Sequence, residues 1–316
     1  MGRRAAGVSR VNPLRGILLK LGSVTIFVLM AALIKATAHE VPPGEQVFFR
    51  SLFAIPVILV WLMRRGELSS GLRTARPMGH VFRGLMGTAA MGLGFAGLGL
   101  LPLPEVTAIG FAAPLLTVIF AAMFLGEDVR AFRLATVALG LIGVLVVLSP
   151  RLGQVGDGLS TAQTLGAVIT LMGAMCAALA QIFIRKLVQE ESTSAIVFWF
   201  SITATMLSLV TLPFGWVMPS PGTAALLILA GLMGGVGQIL LTSAYRFADA
   251  SLVAPFDYAA MLFALAIGYG VFGEVPTLTM LIGAAIVITA GFLIIWREHR
   301  LGLERSRQRK AMTPQG

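Results

Sequence analysis

The chain carries the same pattern twice. The tetrapeptide GLMG at residues 84–87 recurs unchanged at 231–234, and Gly126-Glu127 recurs as Gly273-Glu274 with the same shift of 147 residues. Each copy lies among long apolar runs, and each half has room for five membrane spans. Because five is an odd number, the second half must enter the membrane in the opposite direction to the first. This predicts an inverted repeat, the plan of many secondary transporters.

The hydropathy of the chain excludes a soluble globular fold. Apolar residues make up 57% of the 316 residues, charged residues make up 12%, and the mean hydropathy is +0.89. Ordinary domains are about 25% charged. Apolar runs of about 20 residues, enough to cross a bilayer core, recur from end to end. The sequence therefore predicts an all-α integral membrane protein that contacts the lipid bilayer along most of its length.

Ten transmembrane helices are predicted. The apolar runs place them at 16–36, 46–63, 81–101, 105–125, 133–149, 164–184, 194–213, 224–244, 250–272 and 277–296. The chain then divides into a cytoplasmic N-terminal segment (1–15), a first five-span repeat (16–149), a periplasmic linker (150–163), a second five-span repeat (164–296) and a basic cytoplasmic tail (297–316). We expect the tail to be solvated and partly disordered, since it is charged and lacks apolar periodicity.

The basic residues are strongly biased to one side of the predicted membrane. With a cytoplasmic N-terminus, 20 of the 24 Lys and Arg residues lie in inner segments or at the inner ends of spans, and the outer loops hold one, Arg151. Lys20, Lys35 and Arg50 lie within spans or near their outer ends. This positive-inside bias predicts that both termini are cytoplasmic in a multi-pass protein of the bacterial inner membrane. It also accounts for the net charge of +10 without nucleic acid as a partner.

Prolines and glycines predict interrupted and closely packed helices. Pro114 lies in span four and Pro255 in span nine, and proline removes a backbone donor and frees a carbonyl one turn back. The two prolines do not coincide under the shift of 147 residues, so we expect breaks at different depths in the two repeats. Small residues in spans three and eight, among them Gly231 and Gly235, predict close helix packing.

Three motifs carry a family resemblance. FFRS at residues 48–51, AAP to GE across 112–127, and APFDY to GE across 254–274 resemble, in this order and spacing, the EamA type of the drug/metabolite transporter superfamily. The likeness covers roughly residues 14–296. It implies a ten-helix secondary carrier with a central cavity between its halves and with the fifth and tenth helices peripheral. Members handle amino acids, vitamins, nucleotide-like metabolites and other small organic solutes, some inward and some outward.

Asp257 is the clearest candidate for substrate binding or ion coupling. A charged side chain within a span costs about 2.5–3.5 kcal/mol on insertion scales, so each one is a functional candidate. The Asp257 carboxylate, about 8 residues into span nine, could bind a substrate amine or carry a coupling proton. Tyr258 beside it could line the same site. The alternative is a structural ion pair with Lys20, which should lie at similar depth in span one.

Arg50 is the candidate for binding an anionic group. It lies about one turn into span two from the outer side, and its planar guanidinium group suits a carboxylate or a phosphate of the substrate. The alternatives are an ion pair with Glu45 or Glu105 at the outer rim, or a side chain that snorkels to the interface. We expect Lys35, near the outer end of span one, to snorkel.

Four further residues are candidates for gating or for lining the cavity. Glu127 and Glu274 end spans four and nine on opposite sides of the membrane, each after a glycine, and could serve as gates or helix caps. Trp199 and Gln238 could line a cavity, although an aromatic residue in a span usually packs against its neighbours. Gln238 has Met91 as its repeat partner, so any role of the amide is specific to one half.

The rival function classes are an integral-membrane enzyme and a channel-like facilitator without ion coupling. The histidines His39, His80 and His299 fall in predicted loops or in the tail, so no metal or cofactor site is predicted. The sequence contains no P-loop for ATP, and a channel would be expected to show rings of like residues. We therefore predict a carrier of a small molecule, with protons as candidate coupling ions. Substrate, direction and a homo-oligomeric state stay open.

Overall fold

The computed structural model describes residues 13–125, 131–152, 158–187, 191–247 and 254–312, and the regular structure in these ranges is all helical. The α-helices are α1 (Pro13–Thr37), α2 (Pro43–Leu52), α3 (Ala54–Arg64), α4 (Leu68–Gly71), α5 (Pro77–Leu100), α6 (Leu103–Gly110), α7 (Ala112–Leu125), α8 (Ala131–Leu152), α9 (Gly158–Leu187), α10 (Thr193–Leu209), α11 (Pro221–Phe247), α12 (Ala259–Phe272) and α13 (Leu278–Met312). Two short 3-10 helices cover Leu212–Phe214 and Ala254–Tyr258.

The apolar segments agree in position with the predicted spans. Within the described residues, seven helical segments are long and apolar enough to cross a bilayer. Three shorter apolar helices, Leu134–Pro150, Ser194–Leu209 and Phe256–Phe272, lie where spans five, seven and nine are predicted. The architecture is that of a multi-pass membrane protein. That each of these helices crosses the membrane, with both termini in the cytoplasm, stays a prediction.

Two predicted spans are interrupted three residues before a proline. Span two divides into α2 and α3 at Phe53, before Pro56, and span four divides into α6 and α7 at Phe111, before Pro114. The reason is the same in both, because a proline cannot donate to the carbonyl four residues earlier. The Pro114 break was predicted, whereas the one before Pro56 was not. In the described part of span nine, Pro255 lies in the 3-10 helix Ala254–Tyr258.

The two halves of the chain interlock through three helix pairs. The most extensive contacts join α5 to α9, α1 to α11 and α8 to α13, and each pair takes one helix from either half. Ala131 and Leu278, the first residues of α8 and α13, are separated by the same 147 residues as the sequence repeats. Under that correspondence α1 matches α9 and α5 matches α11, so the first two pairs are equivalent. Two equivalent helix pairs of this kind are what a duplicated half would produce.

Close backbone approach explains two of the glycines. A Cβ atom at Gly231 in α11 would lie 2.8 Å from the carbonyl oxygen of Phe49, beside the break at Phe53. A Cβ atom at Gly283 in α13 would lie 2.7 Å from the carbonyl oxygen of Gly143 in α8. Because lipid is as apolar as a helix surface, such direct packing is what holds helices together in a membrane.

The C-terminal tail differs from the prediction. We expected residues 297–316 to be partly disordered, but α13 continues through this segment to Met312. The sequence after Trp296 is rich in Arg, Glu and Leu, which are strong helix formers. Extending a helix that has already nucleated adds one hydrogen bond per residue without a new nucleation cost. The absence of apolar periodicity was therefore a poor guide to disorder here.

Candidate functional site

A cavity of about 300 Å³ lies between helices from both halves of the chain. Helices α2 and α5 of the first half face α9, α10 and α11 of the second half across it. Its volume is at the lower end of the range for small-molecule sites, and its lining has few polar groups, as such sites usually do. The lining residues are Arg50, Arg83, Gly87, Ala90, Met91, Ala177, Ala180, Gln181, Ile184, Phe200 and Gln238.

Two arginines dominate the chemistry of the cavity. Arg50 comes from α2 and Arg83 from α5, and their side chains are buried, with 3% and 8% of each residue exposed. The guanidinium carbon of Arg83 lies 3.6 Å from the ring centroid of Phe200, and that of Arg50 lies 5.8 Å from the same centroid. Both cations therefore use one aromatic ring as a support, an arrangement that the ring quadrupole favours.

The ring does not satisfy the hydrogen-bonding capacity of either arginine. The Nε and Nη1 atoms of Arg50 and Arg83 are buried and donate no hydrogen bond. The outer-rim pair with Glu45 that we considered for Arg50 is not formed in the described residues; the Glu45 carboxylate instead accepts a hydrogen bond from the backbone N–H of Val217 at 3.0 Å. The amides of Gln181 and Gln238 add neutral donors and acceptors to the same cavity. The arrangement can bind oxyanions.

A second charged site joins α1 to the start of span nine. The Nζ atom of Lys20 lies 2.7 Å from an Asp257 oxygen, so the ion pair that we weighed against a functional role is present. The pair is asymmetric, because the Lys20 side chain is 2% exposed and the Asp257 side chain is 43% exposed. Asp257 belongs to the 3-10 helix Ala254–Tyr258, which directs its carboxylate towards α1.

A third charged site joins the other end of α1 to the end of span nine. Lys35 Nζ lies 2.9 Å from Glu274 Oε1 and donates to the carbonyl oxygens of Leu98 and Leu101. Glu274 also accepts a hydrogen bond at 2.8 Å from the backbone N–H of Leu103, at the start of α6. The expectation that Lys35 snorkels is wrong, because its side chain is 14% exposed and its ammonium group contacts the Glu274 carboxylate and two backbone carbonyl oxygens. The Glu274 carboxylate caps α6 from across the interface.

Comparison with known proteins identifies the family. Residues 14–149 and, again, residues 164–296 match the EamA-like transporter family. The chain belongs to this family. The two matched segments correspond to the two predicted repeats, and the cavity lies between them.

Relatives of this EamA-like protein are named as transporters of small molecules. An S-adenosylmethionine uptake transporter of Rickettsia prowazekii is 30% identical over 256 residues, which cover 81% of this chain and 84% of that protein. A riboflavin transporter of Rhizobium johnstonii is 29% identical over 82% of this chain and 83% of its own length. A pseudopaline exporter of Pseudomonas aeruginosa is 29% identical over 87% of this chain and 94% of its own length.

Solved structures contain the same fold. One crystal structure matches with a TM-score of 0.66 over 93% of this chain and 99% of that chain, at 21% identity. At this identity the match bears on the fold alone. The family and the named relatives together make the EamA-like protein a membrane transporter of a small metabolite, and not an enzyme.

The other predicted site residues lie in different surroundings. Gln238 lines the cavity. The Tyr258 ring packs against Phe111 and Phe292, with centroids 5.0 and 5.6 Å away, in the apolar core beside Asp257. The Trp199 indole N–H donates to the carbonyl oxygen of Leu72 at 3.0 Å and contacts Phe198 and His80 instead of the cavity. Glu127 falls outside the described residues.

Sequence reasoning overlooked Arg83 and Phe200. We counted Arg83 among the residues at the inner end of span three because the apolar run begins at residue 81. The helix begins at Pro77 instead, and proline is favoured at the first helical position, so this signal could have been used. With the helix start at Pro77, Arg83 lies nearly two turns inside. His80, expected in a loop, is likewise in α5 and buried.

A carboxylate outside the spans fixes the approach to α5. The Glu191 carboxylate accepts hydrogen bonds from the Thr74 hydroxyl and from the backbone N–H groups of Ala75 and Arg76, at 2.7–2.9 Å. Its other neighbour is His80, 3.6 Å away. Desolvation raises the pKa of Glu191, but the hydrogen bonds outweigh it and hold the pKa below its usual value. This contact ties the loop before α10 to the loop before α5.

Proposed function

We propose that this EamA-like protein is a secondary active transporter that moves a small organic metabolite across the bacterial inner membrane through the cavity between α2, α5, α9, α10 and α11. The observation that carries the proposal is a cavity lined by both halves and holding two buried cations with unused donors. Buried ionisable residues within spans mark substrate pathways. Amino acids, vitamins and nucleotide-like solutes are the candidate classes, and the names of the S-adenosylmethionine and riboflavin relatives fall among them.

The two ion pairs on α1 suggest how access could alternate. Lys20 and Lys35 are 15 residues apart, about 22 Å along the helix axis. Each pairs with an acid at one end of the segment 254–274. We propose that the pairs close the two ends of one seam between the halves and that transport opens one end at a time. Glu274 would then act as the gate at one end of this seam. Glu127, which lies outside the described residues, is the candidate for the corresponding role in the first repeat.

Asp257 is the proposed coupling residue. It would take up and release a proton as the cavity changes sides, and Lys20 would hold its carboxylate charged in one of the two states. An Asp257→Asn protein should still insert and should exchange substrate across equal concentrations in proteoliposomes. It should no longer accumulate or expel substrate when a pH difference is imposed. Full gradient-driven transport by Asp257→Asn would contradict the proposal.

A facilitator without ion coupling is the second candidate. The 2.7 Å contact favours it, because a carboxylate already held by Lys20 can serve a structural role alone. The wild-type protein distinguishes the two. A facilitator equilibrates substrate and shows no accumulation under a pH gradient, whereas a proton-coupled carrier shows accumulation that a protonophore abolishes.

Substrate counterflow is the experiment that tests carrier function. A thermal-shift screen of the purified protein against amino acids, vitamins and nucleosides selects ligands, since a solute that binds only the folded state raises its stability. S-adenosylmethionine and riboflavin belong in the screen. Proteoliposomes loaded with an unlabelled hit should then take up the labelled solute transiently above equilibrium. Failure of every stabilising solute to give counterflow would contradict a carrier.

Reporter fusions test the proposed topology. If both termini are cytoplasmic and ten spans cross the membrane, a fusion at Gly158 should report the periplasm and a fusion at Gly316 the cytoplasm. The basic residues on one side of the spans are the physical reason. A cytoplasmic signal at Gly158 would overturn the arrangement of two five-span repeats.

A further inference from the structure

The described lining of the cavity carries two positive charges and no negative one. Arg50 and Arg83 together bring two positive charges to the face of Phe200. Among the lining residues that the structure describes, none is Asp or Glu. The acids Glu45, Asp257 and Glu274 have their own partners in Val217, Lys20 and Lys35. Within the described lining, the two positive charges therefore have no acidic side chain as a counter-ion.

Two like charges in one buried site are unfavourable unless a counter-ion binds between them. Removing a guanidinium group from water costs several kcal/mol, and only a close counter-ion with good hydrogen bonds offsets that cost. Both arginines line the cavity, and the Nε and Nη1 atoms of each donate to no protein group, so each guanidinium group keeps donors that a carboxylate or a phosphate can accept from. One single-charged anion would neutralise one arginine and leave the other desolvated. Two negative charges satisfy both.

The rest of the lining limits the size and character of the solute. A volume of about 300 Å³ admits a compact metabolite. Apolar side chains such as Met91, Ala177 and Ile184 suit a short carbon skeleton, and the amides of Gln181 and Gln238 suit hydroxyl or carbonyl groups. An amine would bring a third positive charge next to the two arginines, and the described lining contains no acid to receive it. Of the candidate classes named above, amino acids and S-adenosylmethionine therefore suit this cavity less well than an anion.

We infer that the solute bound between Arg50 and Arg83 is a compact organic dianion, either a dicarboxylate or a phosphate monoester. The inference rests on the proposed carrier function, since it names the class of substrate for the same cavity. Arg50 and Arg83 each donate to one anionic group, or share the three oxygens of a phosphate group. Phe200 keeps the two guanidinium groups in place when no solute is bound.

A matched series of probes tests this inference on the wild-type protein. Succinate and glycerol 3-phosphate are the dianions, butyrate is a monoanion and putrescine a dication of the same chain length as succinate. Binding to the purified protein is measured by calorimetry and by the apparent Tm. Succinate or glycerol 3-phosphate should bind at least about tenfold more tightly than butyrate, since a charged hydrogen-bonded pair is lost. Which of the two binds better distinguishes the carboxylate from the phosphate.

Two variants locate the binding. Arg83→Gln should weaken the better dianion about tenfold or more, and Arg50→Gln should do the same. The control is Arg65→Gln, because Arg65 is an exposed arginine with 38% of its side chain accessible, and it should leave the affinity unchanged. Equal binding of putrescine and succinate, or the lack of binding by both dianions, would overturn the inference.

The carrier proposal can fail separately from the dianion inference. Counterflow of a neutral or cationic solute without binding of either dianion would leave a carrier whose substrate class we have assigned wrongly. Dianion binding that depends on both arginines but gives no exchange in proteoliposomes would support the assigned chemistry and contradict carrier function.

Discussion

Cations in the interior of this protein are of two kinds. Lys20 and Lys35, both on α1, lie within 2.7 and 2.9 Å of carboxylates supplied by the second half of the chain. Arg50 and Arg83, on α2 and α5, have buried nitrogens that donate to nothing and share the face of one ring. The seam along α1 pairs each lysine with a carboxylate, whereas the described lining of the cavity carries excess positive charge.

The difference separates structural roles from binding roles. Breaking a buried ion pair costs about 3–5 kcal/mol because one charge is left uncompensated. The paired lysines therefore hold the halves together in the absence of solute. An unpaired buried cation has the opposite effect, since it destabilises the empty protein and becomes favourable when an anion binds. Such sites are where stability is commonly given up for function.

The largest effect on transport is expected from changing the shape of a cavity cation while keeping its charge. Arg50→Lys replaces the fork of the guanidinium group by a single ammonium, which cannot form two parallel hydrogen bonds. We expect an affinity loss of about tenfold or more for the bound anion, measured by calorimetry, and a matching loss of transport. If Arg50→Lys transports normally while Arg50→Ala only reduces the amount of protein in the membrane, Arg50 belongs with the structural cations.

The Lys35–Glu274 pair should be the more costly of the two ion pairs to break. Glu274→Ala removes the partner of Lys35 and the acceptor for the Leu103 N–H together, so we expect a loss of about 3 kcal/mol of stability. Glu274→Gln restores the acceptor and should recover part of it. Apparent Tm in detergent measures both. The control is Glu67→Gln, whose pair with Arg65 is exposed and should be worth less than about 1 kcal/mol.

The Lys20–Asp257 pair should respond differently to the substitution of its two partners. Asp257→Asn removes the carboxylate from Lys20, which is 2% exposed, whereas Lys20→Met leaves an aspartate that is 43% exposed and partly hydrated. We therefore expect Asp257→Asn to lower the stability by about 1–2 kcal/mol and Lys20→Met by less than about 1 kcal/mol. Equal losses in chemical denaturation would show that the exposure of Asp257 does not weaken the pair.

Glu191 provides the smallest effect and a pH signature. Its pKa is below the usual value, so its carboxylate stabilises the folded protein at neutral pH. That contribution is lost as the pH falls below about 4. Glu191→Gln should lower the free energy of unfolding at pH 7 by about 1 kcal/mol. The apparent Tm at pH 7 should fall accordingly. The difference from wild type should vanish in strongly acidic buffer, and a difference that persists there would exclude the carboxylate as its cause.

Much of the fold could be predicted because a bilayer permits few alternatives. Every backbone polar group within lipid must be satisfied inside a helix or barrel, so apolar runs translate directly into spans. The break at Phe111 followed from Pro114, and the same argument applied to Pro56 would have found the break at Phe53. The pairing of Lys20 with Asp257 could be anticipated as an alternative because both lie at a similar depth from one side.

The cavity was harder to predict because it depends on which helix faces meet. Arg50 was a candidate from its type and depth, but its neighbour Arg83 comes from a different helix whose start was placed four residues too late. Phe200 is one of 19 phenylalanines, and nothing in its local sequence marks it as a support for two cations. The contact of Lys35 with Glu274 likewise depends on the rotation of α1 against α12, which hydropathy does not determine.

The stability of two variants without solute tests the distinction between paired and unpaired cations most directly. Arg83→Met keeps an apolar stem of similar length against Phe200 and removes one uncompensated charge, whereas Lys35→Met strands the carboxylate of Glu274. Both are compared with wild type by apparent Tm in the same detergent, with no added anion. The account predicts that Arg83→Met is at least as stable as wild type while Lys35→Met is clearly less stable. A loss for Arg83→Met as large as that for Lys35→Met would contradict it.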